Sequence, residues 1–169
     1  MATIGIFFGS STGATELIAT KLQAILGAEN AEIYNVDEAT IDDINKYDYL
    51  IFGTPTWGMG DLQDDWGVFL EELLKADLSK KNIALFGLGD QDTYPESFVD
   101  GMGVMFDVLK DKTTIVGHWP VKGYFFEDSL AVRDQKFVGL PIDEEYQADL
   151  TDERLIKWVA ILKKEFKIQ

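Results

Sequence analysis

The chain contains no cysteine. That excludes disulfides, thiolate nucleophiles, cysteine-ligated iron–sulfur clusters and cysteine-containing zinc sites. Its single histidine, His118, cannot make a multi-histidine metal site and reads as a structural or surface residue. Redox chemistry, if present, must run on an organic cofactor. Basic residues are scarce, 15 Lys and Arg against 30 Asp and Glu, so the formal net charge is −15. Nucleic acid and anionic membrane would both be repelled. A basic protein partner is permitted, as is the simpler reading that the charge only keeps the protein soluble. No apolar run approaches the roughly 20 residues of a membrane span. The N-terminus shows no basic segment leading into an apolar one, so no signal peptide is expected and the expected location is the cytoplasm.

What is present points to one domain over residues 1–169, with 46% hydrophobic residues to build a core. Thr3 to Phe8 is a short apolar run. It ends in Gly9-Ser10-Ser11-Thr12-Gly13-Ala14-Thr15-Glu16. Leu17, Ile18, Leu22 and Ile25 follow at helix-face spacing, giving strand, hydroxyl-rich loop, helix. Backbone N–H groups and the positive end of a helix dipole converge at such a loop. Ser10, Ser11, Thr12 and Thr15 add hydroxyl donors, and no Lys or Arg is present. Alone, the loop suits either a neutral phosphate cradle or a turn whose Ser and Thr cap the helix.

The rhythm repeats down the chain. Ala31–Val36 reads as a strand and Asp37–Tyr47 as a short acidic helix with a turn. Asp48–Gly53 reads as a strand buried on both faces, stopped by Thr54-Pro55-Thr56-Trp57-Gly58-Met59-Gly60. Asp61–Lys75 is expected to be helical, with Trp66, Phe69, Leu70, Leu73 and Leu74 inward. Asn82–Phe86 is the fourth strand and runs into Gly87-Leu88-Gly89-Asp90-Gln91-Asp92-Thr93-Tyr94-Pro95. Glu96–Lys110 is expected as a helix with Phe98, Met102, Met105 and Leu109 inward. A fifth strand begins near Thr113, Pro120–Gln135 interrupts it, and Lys136–Ile142 resumes it. Thr151 is the expected N-cap of a last helix, with Leu155, Trp158, Val159, Leu162 and Phe166 facing in. Trp66 and Trp158 read as core. The pattern is an α/β doubly wound five-stranded parallel sheet with helices on both faces.

Each of the three special loops follows a strand, so in a parallel sheet they share one edge, where ligands bind. The first offers a phosphate cradle. The second and third carry Trp57 and Tyr94 where turns usually carry polar residues. Two aromatics across a crevice can sandwich a flat heterocycle; each also has a plainer reading, Trp57 as a packed aromatic and Tyr94 as a helix-entry staple. The acids of Asp61–Glu72 suit a solvated helix face or partner docking equally. A P-loop GxxxxGK[ST] is absent, and Gly87-Leu88-Gly89 opens an acidic loop rather than a dinucleotide-binding helix. A phospho-acceptor domain would need acids where Gly9-Ser10 and Gly53-Thr54 stand.

The chain resembles the long-chain flavodoxins. The residues that carry the resemblance are GSSTGAT, TPTWGMG with the following GDLQDDW, GLGDQ…Y, and Gln135-Lys136-Phe137-Val138-Gly139-Leu140. The resemblance covers essentially the whole length. The resemblance implies strand order 2-1-3-4-5, with Pro120–Gln135 as the insertion of the long-chain type. It implies non-covalent FMN, with Ser10, Ser11, Thr12, Gly13, Ala14 and Thr15 on the phosphate and Trp57 and Tyr94 on the ring. Thr56 would lie by the ribityl chain, Gly58 and Met59 near flavin N5, and Gly89, Asp90 and Gln91 near the pyrimidine end. Thr54, Pro55, Gly60, Gly87 and Leu88 would complete the cofactor-binding set. Glu145-Tyr146 departs from the acidic–Asn pair usual in the family. No catalytic residue and no metal is implied.

The implied function is low-potential electron transport, cycling mainly between the FMN semiquinone and hydroquinone. Gly58, without a Cβ, would allow the peptide flip by which the family stabilises the semiquinone. Implied partners are a basic NADP(H)-linked reductase or other redox proteins, with no nucleic acid, no membrane insertion and a monomeric state. The alternative is a flavin-dependent reductase acting on a small molecule.

Overall fold

The computed structural model describes residues 3–10, 12–57 and 60–168, without the Trp57 side chain. Its centre is a parallel sheet. β1 (Ile4–Phe8) lies between β2 (Ala31–Asn35) and β3 (Tyr49–Trp57), and β5 (Asn82–Leu88) follows β3. Beyond β5 come two short strands, β6 (Thr114–Val116) and β10 (Leu140–Ile142). β6 pairs with Asn82–Ala84 and β10 with Phe86–Leu88, so the two are halves of one interrupted fifth strand. The order is therefore the expected 2-1-3-4-5 in strand positions.

The central strands consist of Ile, Leu, Phe and small residues because both faces are covered. Ile6, Phe7, Leu50, Ile51, Phe52, Ile83, Leu85 and Phe86 are all fully buried. α1 (Ala14–Leu26) and α5 (Thr151–Glu165) touch each other, and Lys21 of α1 pairs with Asp152 of α5 at 2.9 Å. Trp158 of α5 meets Phe86 on that face. On the other face Phe69 and Trp66 of α3 (Asp64–Leu73) meet Phe7 and Phe52. α4 (Asp100–Leu109) sets Met102 against Gly87 there. Gly53 is a forced choice, since a Cβ there would sit 1.9 Å from Phe86 Cζ. The short α2 (Ile41–Asn45) carries a complete capping box between Thr40 and Asp43.

Several boundaries differ from the sequence expectation. Pro55 does not stop β3, which pairs with β5 through Pro55 and with β4 (Asp61–Leu62) through Thr56 and Trp57. Proline is tolerated there because β1 pairs with β3 only as far as Gly53, leaving one side of Pro55 unpaired. With Asp61 and Leu62 in a strand, α3 starts at Asp64, and the Gln63 side chain caps it by accepting from Trp66 N–H at 3.1 Å. α4 starts at Asp100 rather than Glu96. Residues of the insertion occupy the backbone groups a longer helix would need: Glu127 and Asp128 N–H donate to Pro95 C=O, and Phe98 N–H donates to Asp128 C=O.

Lys136 and Phe137 belong to a small antiparallel sheet of β7 (Trp119–Pro120), β9 (Lys136–Phe137) and β8 (Val132–Arg133) inside the insertion. Only Leu140–Ile142 rejoins the main sheet. Leu17 and Leu74 face solvent. Thr151 is the first helical residue rather than the cap, because a 3-10 turn at Ala148–Leu150 runs directly into α5. His118 is exposed, as expected, and its ring lies edge-on to Phe106.

Candidate cofactor site

The first loop leaves β1 at Gly9, whose N–H donates to Gly53 C=O at 3.2 Å. Trp66 Nε1 donates to the same carbonyl at 2.8 Å, which fixes the mouth of the loop to β3. Gly13 then closes it. Its φ of 90° is left-handed, and its N–H donates to Ser10 Oγ at 2.9 Å. As an acceptor in that bond, the Ser10 hydroxyl keeps its own proton for another acceptor. Gly13 is the N-cap of α1, and no side chain among the described residues caps the helix. None of the described hydroxyls, Ser10, Thr12 or Thr15, acts as the plain cap. The first N–H groups of α1 have no intrahelical acceptors. Thr15 Oγ1 is buried and has no hydrogen-bond partner. An orphaned buried hydroxyl beside uncapped N–H groups suits an anion that brings its own oxygen atoms.

The three loops do converge. A cleft of about 250 Å³ is lined by Ala14 from the first, Pro55 and Thr56 from the second, and Leu88, Gly89, Asp90 and Tyr94 from the third. The second loop is braced by the start of α4. Gly101 N–H donates to Thr56 Oγ1 at 3.1 Å, and Asp100 packs beside Gly60. Burial raises the Asp100 carboxyl above the usual range, and the nearby charge of Asp128 adds to this, against a hydrogen bond from Leu130 N–H that opposes it. Tyr94 is half exposed at the rim.

Not every expected residue reaches the cleft. Thr54 is buried, with its hydroxyl donating to Pro55 C=O at 3.0 Å. Gly87 lies within β5 under Met102, where its lack of a side chain serves packing. Gln91 is buried, and its side-chain amide donates to Asp143 at 2.7 Å and Gln147 at 2.9 Å instead of lining the cleft. Thr12 is exposed. Ser11, Gly58, Met59 and the Trp57 side chain lie outside the described residues.

The sequence reading missed Ser97 and Glu144 and left the place of Glu145 open; all three line the cleft. Glu144 and Glu145 follow β10, which ends at Ile142 as expected, so the strand-end rule that found the other loops would have found them too. No Lys or Arg is among the lining residues, while Asp90, Glu144 and Glu145 are.

A model of the flavodoxin family matches residues 6–158. The chain belongs to the flavodoxin family. It is 49% identical to Flavodoxin 1 of Azotobacter vinelandii over 171 residues, covering 98% of each chain. It is 45% identical to Flavodoxin 1 of Escherichia coli K12 over 170 residues, covering 99% of this chain and 97% of that one. Among solved structures, Fusobacterium nucleatum flavodoxin bound to flavin mononucleotide superposes with a TM-score of 0.91 at 33% identity. The match covers 98% of this chain and 99% of that one. Flavodoxin 1 of Bacillus cereus, at 22% identity and a TM-score of 0.71, shares the fold. The strand ends of this flavodoxin carry its candidate site.

Proposed function

We propose that this chain is an electron carrier that holds FMN non-covalently and passes single electrons between redox proteins. The observation that carries the reading is the uncapped start of α1, with its unpartnered Thr15 hydroxyl, opening onto an acid-lined cleft. The bound flavin supplies two separate one-electron reductions. The chain supplies the setting. N–H groups of α1 and the hydroxyls of Ser10, Ser11, Thr12 and Thr15 hold the phosphate. Thr56, braced by Gly101, orients the chain that joins it to the ring. Tyr94 and Trp57 flank the ring. Asp90, Glu144 and Glu145 disfavour added negative charge, which keeps the reduced cofactor a strong donor.

Residues 1–169 act as one FMN-binding domain, and the insertion within the fifth strand marks the long-chain type. The carrier works as a monomer in the cytoplasm, and its partners include a basic NADP(H)-linked reductase. Among the described residues no helix is long and apolar enough to cross a membrane. Small-molecule reduction is not favoured, since flavodoxins are electron-transfer proteins rather than enzymes. The test is stepwise reduction of purified protein followed by visible absorption. Two well-separated one-electron steps, with no NAD(P)H turnover by the protein alone, are expected. Rapid NAD(P)H oxidation without a partner would overturn the proposal.

A further inference from the structure

A second hollow, of about 450 Å³, shares two walls with the cleft: the 90–95 loop and the 144–146 turn. Asp90 and Glu145 face the cleft, while their neighbours Gln91 and Tyr146 line the hollow. The other lining residues are Asp92, Pro95, Phe125, Phe126 and Glu127. Phe126 is anchored, with its ring 5.6 Å from that of Phe98 and 5.3 Å from that of Phe137. Phe125 and Tyr146 are turned out, 71% and 53% exposed. Large aromatics left in water forgo burial that would stabilise the fold.

Both exposed aromatics hang from firmly held backbone. Phe125 N–H donates to Gln91 Oε1, and Tyr146 N–H donates to the buried Asp143 carboxylate at 2.8 Å. Glu127 N–H donates to Pro95 C=O at 2.8 Å. The rings are therefore presented on a fixed frame, and Asp92 and Glu127 line the same hollow. Aromatic faces beside carboxylates suit a planar cation, which can stack on the ring and donate to the acid at once. A second copy of a chain with net charge −15 is a poor occupant.

We propose that this hollow receives an arginine side chain of the electron-transfer partner, docking that partner against the loop that walls the cofactor cleft. The proposal rests on the electron-carrier reading. Its test uses the full chain loaded with FMN, and a basic NADPH-linked flavodoxin reductase as probe. The rate of reduction is followed against flavodoxin concentration. Phe125→Ser combined with Tyr146→Ser is expected to raise KM at least fivefold, with kcat, visible spectrum and reduction potentials unchanged. Asp92→Asn with Glu127→Gln is expected to raise KM comparably. Ile156→Ser, an exposed aliphatic position on α5, is expected to leave it unchanged.

An unchanged KM in the aromatic variant overturns the proposal. A rise there without one in the carboxylate variant overturns the arginine occupant in favour of an apolar anchor. A parent dimer in sedimentation that the aromatic variant dissociates overturns it in favour of self-association. Failure to bind FMN, or to be reduced reversibly by dithionite with no partner present, overturns the carrier reading itself and is seen before the probe is added.

Discussion

Asp143 accepts two hydrogen bonds from Gln91, from its backbone N–H at 3.0 Å and its side-chain amide at 2.7 Å. Glu145 and Tyr146 N–H donate to the same fully buried carboxylate at 3.1 and 2.8 Å. One side chain thus fixes the relative position of the third loop and the turn after β10. Replacing it by Asn substitutes a donor for one acceptor and removes the charge from the rest. Asp143→Asn is expected to lower stability by about 2–4 kcal/mol in urea unfolding. FMN titration should show weaker binding as well, because Asp90 and Glu145 lose their common support. Parent-like stability would contradict this account.

Thr15 predicts two effects of opposite sign. Its hydroxyl is buried without a partner in the free protein, and the cofactor reading gives it a phosphate oxygen to donate to. Thr15→Val keeps the shape and removes the hydroxyl. FMN affinity, measured by quenching of flavin fluorescence, is expected to fall roughly 10- to 100-fold, in line with about 1.5–3 kcal/mol for a hydrogen bond to a charged group. The apoprotein should be as stable as the parent or more so, since an unsatisfied polar atom is gone. A variant that weakened both equally would show that the hydroxyl serves only the fold.

The acids lining the cleft should set the potential. Glu144→Gln and Glu145→Gln each remove a negative charge near the reduced ring. Each is expected to make the more negative one-electron step less negative by about 20–60 mV, taking ~0.5–1.4 kcal/mol per neighbouring charge and about 60 mV per 1.4 kcal/mol. A spectroelectrochemical titration reads the shift. An unchanged or more negative potential would contradict an electrostatic role.

A pH effect is expected far from the cleft. Arg133 donates to both oxygens of Asp107, at 2.8 and 3.0 Å, and Lys110 adds a contact at 3.3 Å. The hydrogen bond from Arg133 is the main cause that holds the Asp107 carboxyl down, to about 2. A depressed folded-state value means stability present above the unfolded value near 4 and lost as pH falls from there through about 2. Both partners are about a third or more exposed, so solvent limits the effect to roughly 0.2–1 kcal/mol. Asp107→Asn should therefore cost stability at pH 7 and remove that part of the acid sensitivity. Matched thermal melts at pH 7 and pH 3 check it.

The succession of strands and helices, the shared edge of three loops and the core Trp residues were legible because they follow from local apolar runs and from strand-end geometry, whereas the sheet order came from the family resemblance alone. What was not legible depended on the insertion. The late start of α4 is set by Glu127 and Asp128 claiming Pro95, a contact some thirty residues away in sequence. The family resemblance placed Gln91 at the cofactor, but Asp143 holds its side chain elsewhere. Thr151 looked like a cap because Asp152 and Glu153 follow it, yet helical geometry already begins before it. Pro55 looked like a terminator, and only the limited reach of β1 explains why it is not.

The split fifth strand also bears on what the edge of the sheet can offer to another strand. It forms one margin of the sheet, where an uninterrupted strand would present a row of amide groups to any passing chain. Here the margin is two pieces of three residues each, Thr114–Val116 and Leu140–Ile142. The middle residue of the second is Pro141, which has no N–H to offer, and Tyr124 Oη donates to its carbonyl at 2.8 Å. The insertion thus closes half of that margin against strand addition.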